Sequence, residues 1–190
     1  MNKKHARDYG IEPGVYESGP YNGITDVPDV AIGHYTLIAG ADTRTGATAV
    51  LPHNGNLFQD RVPAGLAVGN GFGKLIGSTQ LRELGELETP ILLTNTLAAP
   101  RAAEAIIDWT LSQPGNEQIH SINPVVGETN DSWLNDIRQR SLTKAHFIQA
   151  IETAVASEPV AEGSVGAGTG TVCFGWKGGI GSSSRQLPQG

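Results

Sequence analysis

Glycine and strand-forming residues are interleaved near the end of this chain, and few folds accommodate both. The segment GSVGAGTGTVCFGWKGGIGSSSR, Gly163 to Arg185, has eight glycines in 23 residues. Within it TVCFGW, Thr171 to Trp176, carries the β-branched and aromatic content of a strand. Glycines around a strand weaken it, so they mark a bulge, a positive φ or a close backbone approach. Val172, Phe174, Trp176 and Ile180 give the segment enough to bury to set it apart from a flexible Gly/Ser linker. The expectation is a site where main chain, not side chain, comes close to something.

The chain has 190 residues and a mass of 19.9 kDa, enough for one domain with a core. Its hydrophobic fraction of 38% and charged fraction of 17% are those of a globular protein. A net charge of −6 with no Lys/Arg run argues against a nucleic acid or an anionic membrane as partner. The single cysteine, Cys173, rules out an internal disulfide framework. MNKKHARDYG opens with basic residues but no apolar run, unlike a secretory signal, so a soluble cytoplasmic protein is expected.

Residues 1–23 read as an irregular lead-in. Strands are predicted at 30–38, 46–51, 62–69 and 90–94. A short helix is predicted over 78–84, capped by Ser78 or Thr79 and stopped by Gly85. Ala102, Ala105, Ile106 and Trp109 fall at helical spacing, with Pro100 near the start where a missing N–H is tolerated. A further helix capped by Thr143 puts Phe147, Ile148, Ile151, Ala154 and Val155 on one face. A shorter one starting at Asp131 buries Leu134 and Ile137. Strands, then helices, then glycine-rich strands make an α+β or sheet–helix sandwich a better fit than strict βαβ alternation.

Several familiar chemistries are excluded. No G-x-S-x-G elbow is present, and Gly73-Lys74 lacks the spacing of a phosphate-binding loop. Gly166-Ala167-Gly168-Thr169-Gly170 imitates part of a dinucleotide fingerprint without a strand before it or a helix after it. The five histidines show no metal-binding spacing. Cys173, mid-strand, is expected to be buried and structural. Ser182, Ser183 and Ser184 read as a polar turn or strand end, since no base is named for them.

The run Pro124-Val125-Val126-Gly127-Glu128-Thr129-Asn130-Asp131 ends an apolar stretch with glycine and then a carboxylate. A carboxylate held by a rigid element at such a point suits a cationic partner, for example a free α-amino group. The competing reading is that Glu128, Asn130 and Asp131 form a turn and cap the next helix. Asp131 is assigned to the turn; for Glu128 both readings stay open.

Taken in order, NGITDVPDVAIGHYTL, TGATAVLP, LETPILLTNT, NPVVGETND with WLND, LTKAHFIQAI and the glycine-rich end resemble the P1 family of peptidases. That family includes the L-aminopeptidase D-Ala-esterase/amidase and the β-peptidyl aminopeptidases. The resemblance covers most of Asn22 to Arg185. It implies an α+β, four-layer αββα sandwich of the DmpA/ArgJ-like type, layered as in N-terminal-nucleophile hydrolases. It also implies a precursor that cuts itself before a serine, which becomes the nucleophile of the smaller subunit. The chemistry is acyl transfer from an amide or ester, with no metal or organic cofactor.

The family's oxyanion asparagine, nucleophilic serine and helpers have no counterpart before Gly190. The resemblance therefore implies one incomplete domain over 1–190, a larger-subunit part that is inactive and poorly soluble alone. Glu128 matches the glutamate that receives the substrate's amino group. Asn130 stands where some relatives have a tyrosine, and Ser121 where one has an aromatic pocket residue, which leaves the preferred N-terminal residue open. The glycine-rich strand is expected beside the catalytic centre as scaffold. Implied partners are short peptides or amino-acid amides and esters, the smaller subunit of the same precursor, and further copies in a homo-oligomer of processed heterodimers. Two other readings remain: an acyltransferase of the ornithine acetyltransferase branch, or a non-catalytic binding or assembly domain if the gene ends at Gly190.

Overall fold

The computed structural model describes residues 4–188. Five strands form a mixed sheet in the order β6-β5-β2-β1-β7, with β1 Ala31–Ala39, β2 Thr43–Leu51, β5 Ile91–Asn95, β6 Val125–Thr129 and β7 Val155–Ala156. Two short strands, β3 Val62–Pro63 and β4 Glu86–Leu87, pair beside helix α1, Ser78–Glu83. Helices α2, Ala99–Leu111, and α3, Lys144–Glu152, cover one face of the sheet. β1 and β2 form a long antiparallel hairpin, and β5 and β6 run parallel, joined by α2 as a crossover.

The core lies between the two helices and the sheet. Ala47, Ala49, Leu92 and Val126 meet Ala102, Ala105 and Ile106 of α2 and Phe147, Ala150 and Ile151 of α3, all buried. The many alanines bring the helices close to the strands, and the larger Phe147, Ile106 and Leu92 fill the remaining space. Pro100 sits in the first turn of α2 as expected, and Asn95 Oδ1 accepts the Ala98 N–H at 2.9 Å. A smaller cluster of Leu81, Leu87 and Val125 holds α1 and the β3–β4 pair against β6.

Several expected elements differ. The strand expected over 62–69 keeps only Val62–Pro63, because the following Gly65 and Gly69 favour loop over ladder. Helix α1 begins from Gly77 at φ +84, not from a Ser78 or Thr79 cap, whereas Gly85 at φ +66 does stop it. Thr143 occupies the N-cap position of α3, but His146 Nδ1 closes the turn by accepting the Thr143 N–H at 3.2 Å. That helix ends at Glu152, so Ala154 lies outside it and Val155 is an exposed residue of β7. The helix expected from Asp131 is a set of turns leading to a single 3-10 turn, Ile137–Gln139, with Leu134 exposed.

The largest departure concerns TVCFGW. It is not one strand but a tight hairpin, β8 Val172–Cys173 against β9 Trp176–Lys177. Phe174 at φ +50 and Gly175 at φ +79 make the turn, the left-handed pair that matches strand twist in a two-residue connection. Phe174 is 98% and Trp176 80% exposed, and Cys173 is exposed rather than buried, because the hairpin stands off the sheet. Among its described residues the lead-in is irregular apart from one 3-10 turn, Ala6–Tyr9. Ser184 Oγ, which donates to Asp26 Oδ2 at 2.5 Å, and Ser182 Oγ, which accepts the Ile24 N–H at 2.7 Å, tie the chain end to it, a structural duty in keeping with the sequence reading. Gly190 lies outside the described residues. Among the described residues no helix is long and apolar enough to cross a membrane.

Candidate active site

The glycine-rich segment does bring main chain into close contact, and what it meets is the sheet. Opposite the helices, the Gly166–Gly168 turn lies on β1 and β2. A methyl group at Gly46 would overlap the carbonyl oxygens of Gly166 and Tyr35. Gly166 has φ +51, and a methyl there would overlap Thr48 Oγ1 and His34 Nδ1. Thr36 Oγ1 accepts the Gly166 N–H at 2.8 Å, and Thr48 Oγ1 accepts the Ala167 N–H at 3.1 Å. Thr48 Oγ1 also lies 3.0 Å from His34 Nδ1, and burial pushes the His34 pKa below its ordinary value. Gly163 and Ile180 exchange backbone hydrogen bonds, which closes the segment into a loop.

Glu128 sits near the carboxyl end of β6, in register with Thr94 of β5. The carboxyl ends of parallel strands are where α/β sheets collect ligands. Its side chain is only 6% exposed. Oε1 accepts the Lys74 backbone N–H at 2.8 Å, and Lys74 Nζ stands 4.0 Å from the same oxygen. Lys74 is placed there by a backbone bridge between Ile76 and Val126 two residues on. Glu128 walls two clefts. One, of about 280 Å³, is bounded by Leu93, Thr94 and Thr129 on the sheet and by Gly168, Thr171 and Gly179–Gly181 of the glycine-rich segment. The other, of about 400 Å³, lies toward Lys74 and α1.

A buried polar network holds the loop after β6. Asp131, 2% exposed, accepts from Thr45 Oγ1 at 2.6 Å and from Asn135 Nδ2 at 3.0 Å. Asn95 Nδ2 donates to Thr45 Oγ1 at 2.9 Å, and Asn135 Oδ1 accepts the Arg44 N–H at 3.1 Å. Burial pushes the Asp131 pKa up, against the hydrogen bonds from Thr45 and Asn135 that pull it down. Asp131 thus starts a turn but spends its carboxylate on β2 rather than on capping a helix. Asn130, next to it, is exposed, and its Oδ1 accepts the Ser132 N–H at 3.0 Å. Ser121 lines a different cleft, with Arg61, Glu88 and Asn123. The structure therefore gathers Glu128 and the glycine-rich backbone, leaves Asn130 in the adjoining loop and sets Ser121 apart. Sequence reasoning missed Lys74 at the site, because nothing local links position 74 to position 128.

The smaller cleft can take an ammonium on Glu128 and a planar carbonyl against glycine backbone. Two of its hydroxyls are already engaged as donors, Thr94 to Gly46 O and Thr171 to Ala167 O. The profile of peptidase family S58 matches residues 22–190. The chain belongs to that family. It is 40% identical over 190 residues to the β-peptidyl aminopeptidase BapA of Sphingosinicella microcystinivorans, covering 95% of this chain and 46% of that protein. It superposes on the PH0078 protein from Pyrococcus horikoshii with a TM-score of 0.91 at 48% identity, covering 96% of this chain and 54% of that one. For the L-aminopeptidase D-Ala-esterase/amidase of Ochrobactrum anthropi, described as a variant of the Ntn hydrolase fold, the TM-score is 0.82 at 35% identity, with coverages of 92% and 51%. The DmpA-type α+β sandwich expected from the sequence is therefore the fold of this chain. The chain spans about half the length of the curated relatives it matches.

Proposed function

We propose that this S58 chain carries the amino-group subsite of a serine aminopeptidase/amidase that releases N-terminal residues from short peptides, amides or esters. The observation that carries the reading is the Glu128 carboxylate, almost withdrawn from water, at the mouth of a cleft whose far wall is glycine backbone. A carboxylate so placed binds an ammonium strongly, since both charges are desolvated together and the carboxylate is already oriented by the Lys74 N–H. The substrate's scissile carbonyl then lies against the Gly168 and Gly179–Gly181 backbone. In this proposal residues 1–190 are one incomplete domain, the larger-subunit part of a self-processing precursor. The serine nucleophile comes from outside these residues, and this part alone is inactive. Asn130 forms the rim beside Glu128.

The test is hydrolysis of aminoacyl p-nitroanilides by the complete gene product and by its Glu128→Ala variant. Leaving the incoming ammonium without its partner should cost about 2–4 kcal/mol, or roughly 30- to 1,000-fold in kcat/KM. Equal activity in the two proteins would reject Glu128 as the amino anchor. A mass spectrum of the same product with a single uncut chain would reject self-processing.

A further inference from the structure

We infer that the cleft on the Lys74 side of Glu128 is the pocket for the side chain of the substrate's N-terminal residue, and that it selects an acidic one. The inference rests on the reading of Glu128 as the amino anchor. Glu128 is the shared wall of both clefts. A substrate whose ammonium sits on that carboxylate has its carbonyl on the glycine-lined side and its side chain free to enter the other. That second cleft, about 400 Å³, is roomy enough for any natural side chain.

Charge decides what it takes. Lys74 and Arg82 both line it, and Glu128 is the sole carboxylate among its described lining residues. Lys74 has only Glu128 as an acidic partner, at 4.0 Å, and Arg82 forms no ion pair or hydrogen bond among the described residues. Before substrate arrives, one carboxylate faces two cations. Once the substrate's ammonium takes Glu128, three positive groups share one negative group. A side-chain carboxylate on the N-terminal residue restores the balance by pairing with Lys74 and Arg82. A neutral side chain leaves the excess in place, and a lysyl side chain adds to it. Both protein cations are on exposed, flexible side chains, so they can turn toward the incoming group.

The experiment compares L-aspartyl, L-alanyl and L-lysyl p-nitroanilides with the complete gene product. The expected order of kcat/KM is aspartyl, alanyl, lysyl, with aspartyl ahead of alanyl by about tenfold, the size that two half-exposed ion pairs supply together. In Lys74→Met/Arg82→Met the aspartyl-to-alanyl ratio falls to near one. In Arg82→Glu the lysyl substrate gains on the aspartyl one, a gain that a misfolded protein could not give. A wild-type preference for alanyl or lysyl, or a ratio indifferent to both variants, overturns the inference while Glu128→Ala still shows its large loss of kcat/KM. Retained turnover in Glu128→Ala instead overturns the anchor reading, and the pocket with it.

Discussion

On one face of the five-stranded sheet, Ala47, Ala49, Leu92 and Val126 disappear under two helices; on the other, Thr36, Thr48 and His34 meet the bare backbone of Gly166 and Ala167. The first contact is made by apolar volume and tolerates small shifts as long as the space is filled. The second is made by hydrogen bonds and by the absence of two methyl groups, so it fixes position far more than it adds stability. The face that must place a cleft to within a fraction of an ångström is built from backbone, and the face that must keep the chain folded is built from side chains.

The sharpest way to separate the two is to empty the helical side. Phe147→Ala removes the largest fully buried side chain and should cost about 3–5 kcal/mol. In a domain of this size that lowers the thermal midpoint by on the order of 10 °C. If amide protection in the glycine-rich segment falls in step with that of α2 and α3, and by the same free energy, the two faces are one cooperative unit and the contrast fails.

A smaller and more local loss is expected from Gly166→Ala. A non-glycine residue at φ +51 that also overlaps Thr48 Oγ1 carries about 1–3 kcal/mol of strain. Hydrogen exchange should quicken at the amides of residues 166–171 while α2 and α3 keep their protection. Equal loosening of the helices would show that this turn is part of the core rather than laid upon it.

Acid should give the mildest effect. Burial lowers the His34 pKa below 6.5, so between the two values the unfolded chain binds more protons than the folded one, and stability falls as pH drops below 6.5. His146, stacked on Tyr35 at 4.3 Å and also shifted down by burial, acts in the same sense from the helical side. Asp131 opposes them. Its raised pKa favours the folded state at acid pH, a contribution lost as pH rises from 3.8 through the folded value. The thermal midpoint should therefore fall modestly from pH 7 to pH 5, and His34→Gln should remove part of that fall. A midpoint that rises over this range would mean that His34 is not held neutral against the turn.

What could be read in advance follows the range of the forces involved. Helix α2 was visible in the spacing of Ala102, Ala105 and Ile106, since its buried face is a local property of 13 residues. The run before Gly127 marked β6 and its carboxylate for the same reason. Asp131 was read rightly as a turn residue, but the duty of its carboxylate was missed, because its partner Thr45 lies 86 residues away and a local reading sees only polar neighbours. The Phe174-Gly175 turn was hidden because phenylalanine rarely adopts a positive φ, and nothing like Asn-Gly announced it. The charged partners across the Glu128 cleft stayed out of sight, because the bridge between Ile76 and Val126 that brings them there is a contact between distant stretches.

The hairpin turn also gives the molecule its own optical reporters. Trp176 on β9 is 80% exposed and Trp133, in the loop that follows Asn130, is 83% exposed, whereas Trp109 packs against the helical core. Two of the three indoles thus sit in water, where their emission is red-shifted and open to quenchers. Anything that covers the hairpin or the loop will shift those two to the blue and leave the third as an internal reference.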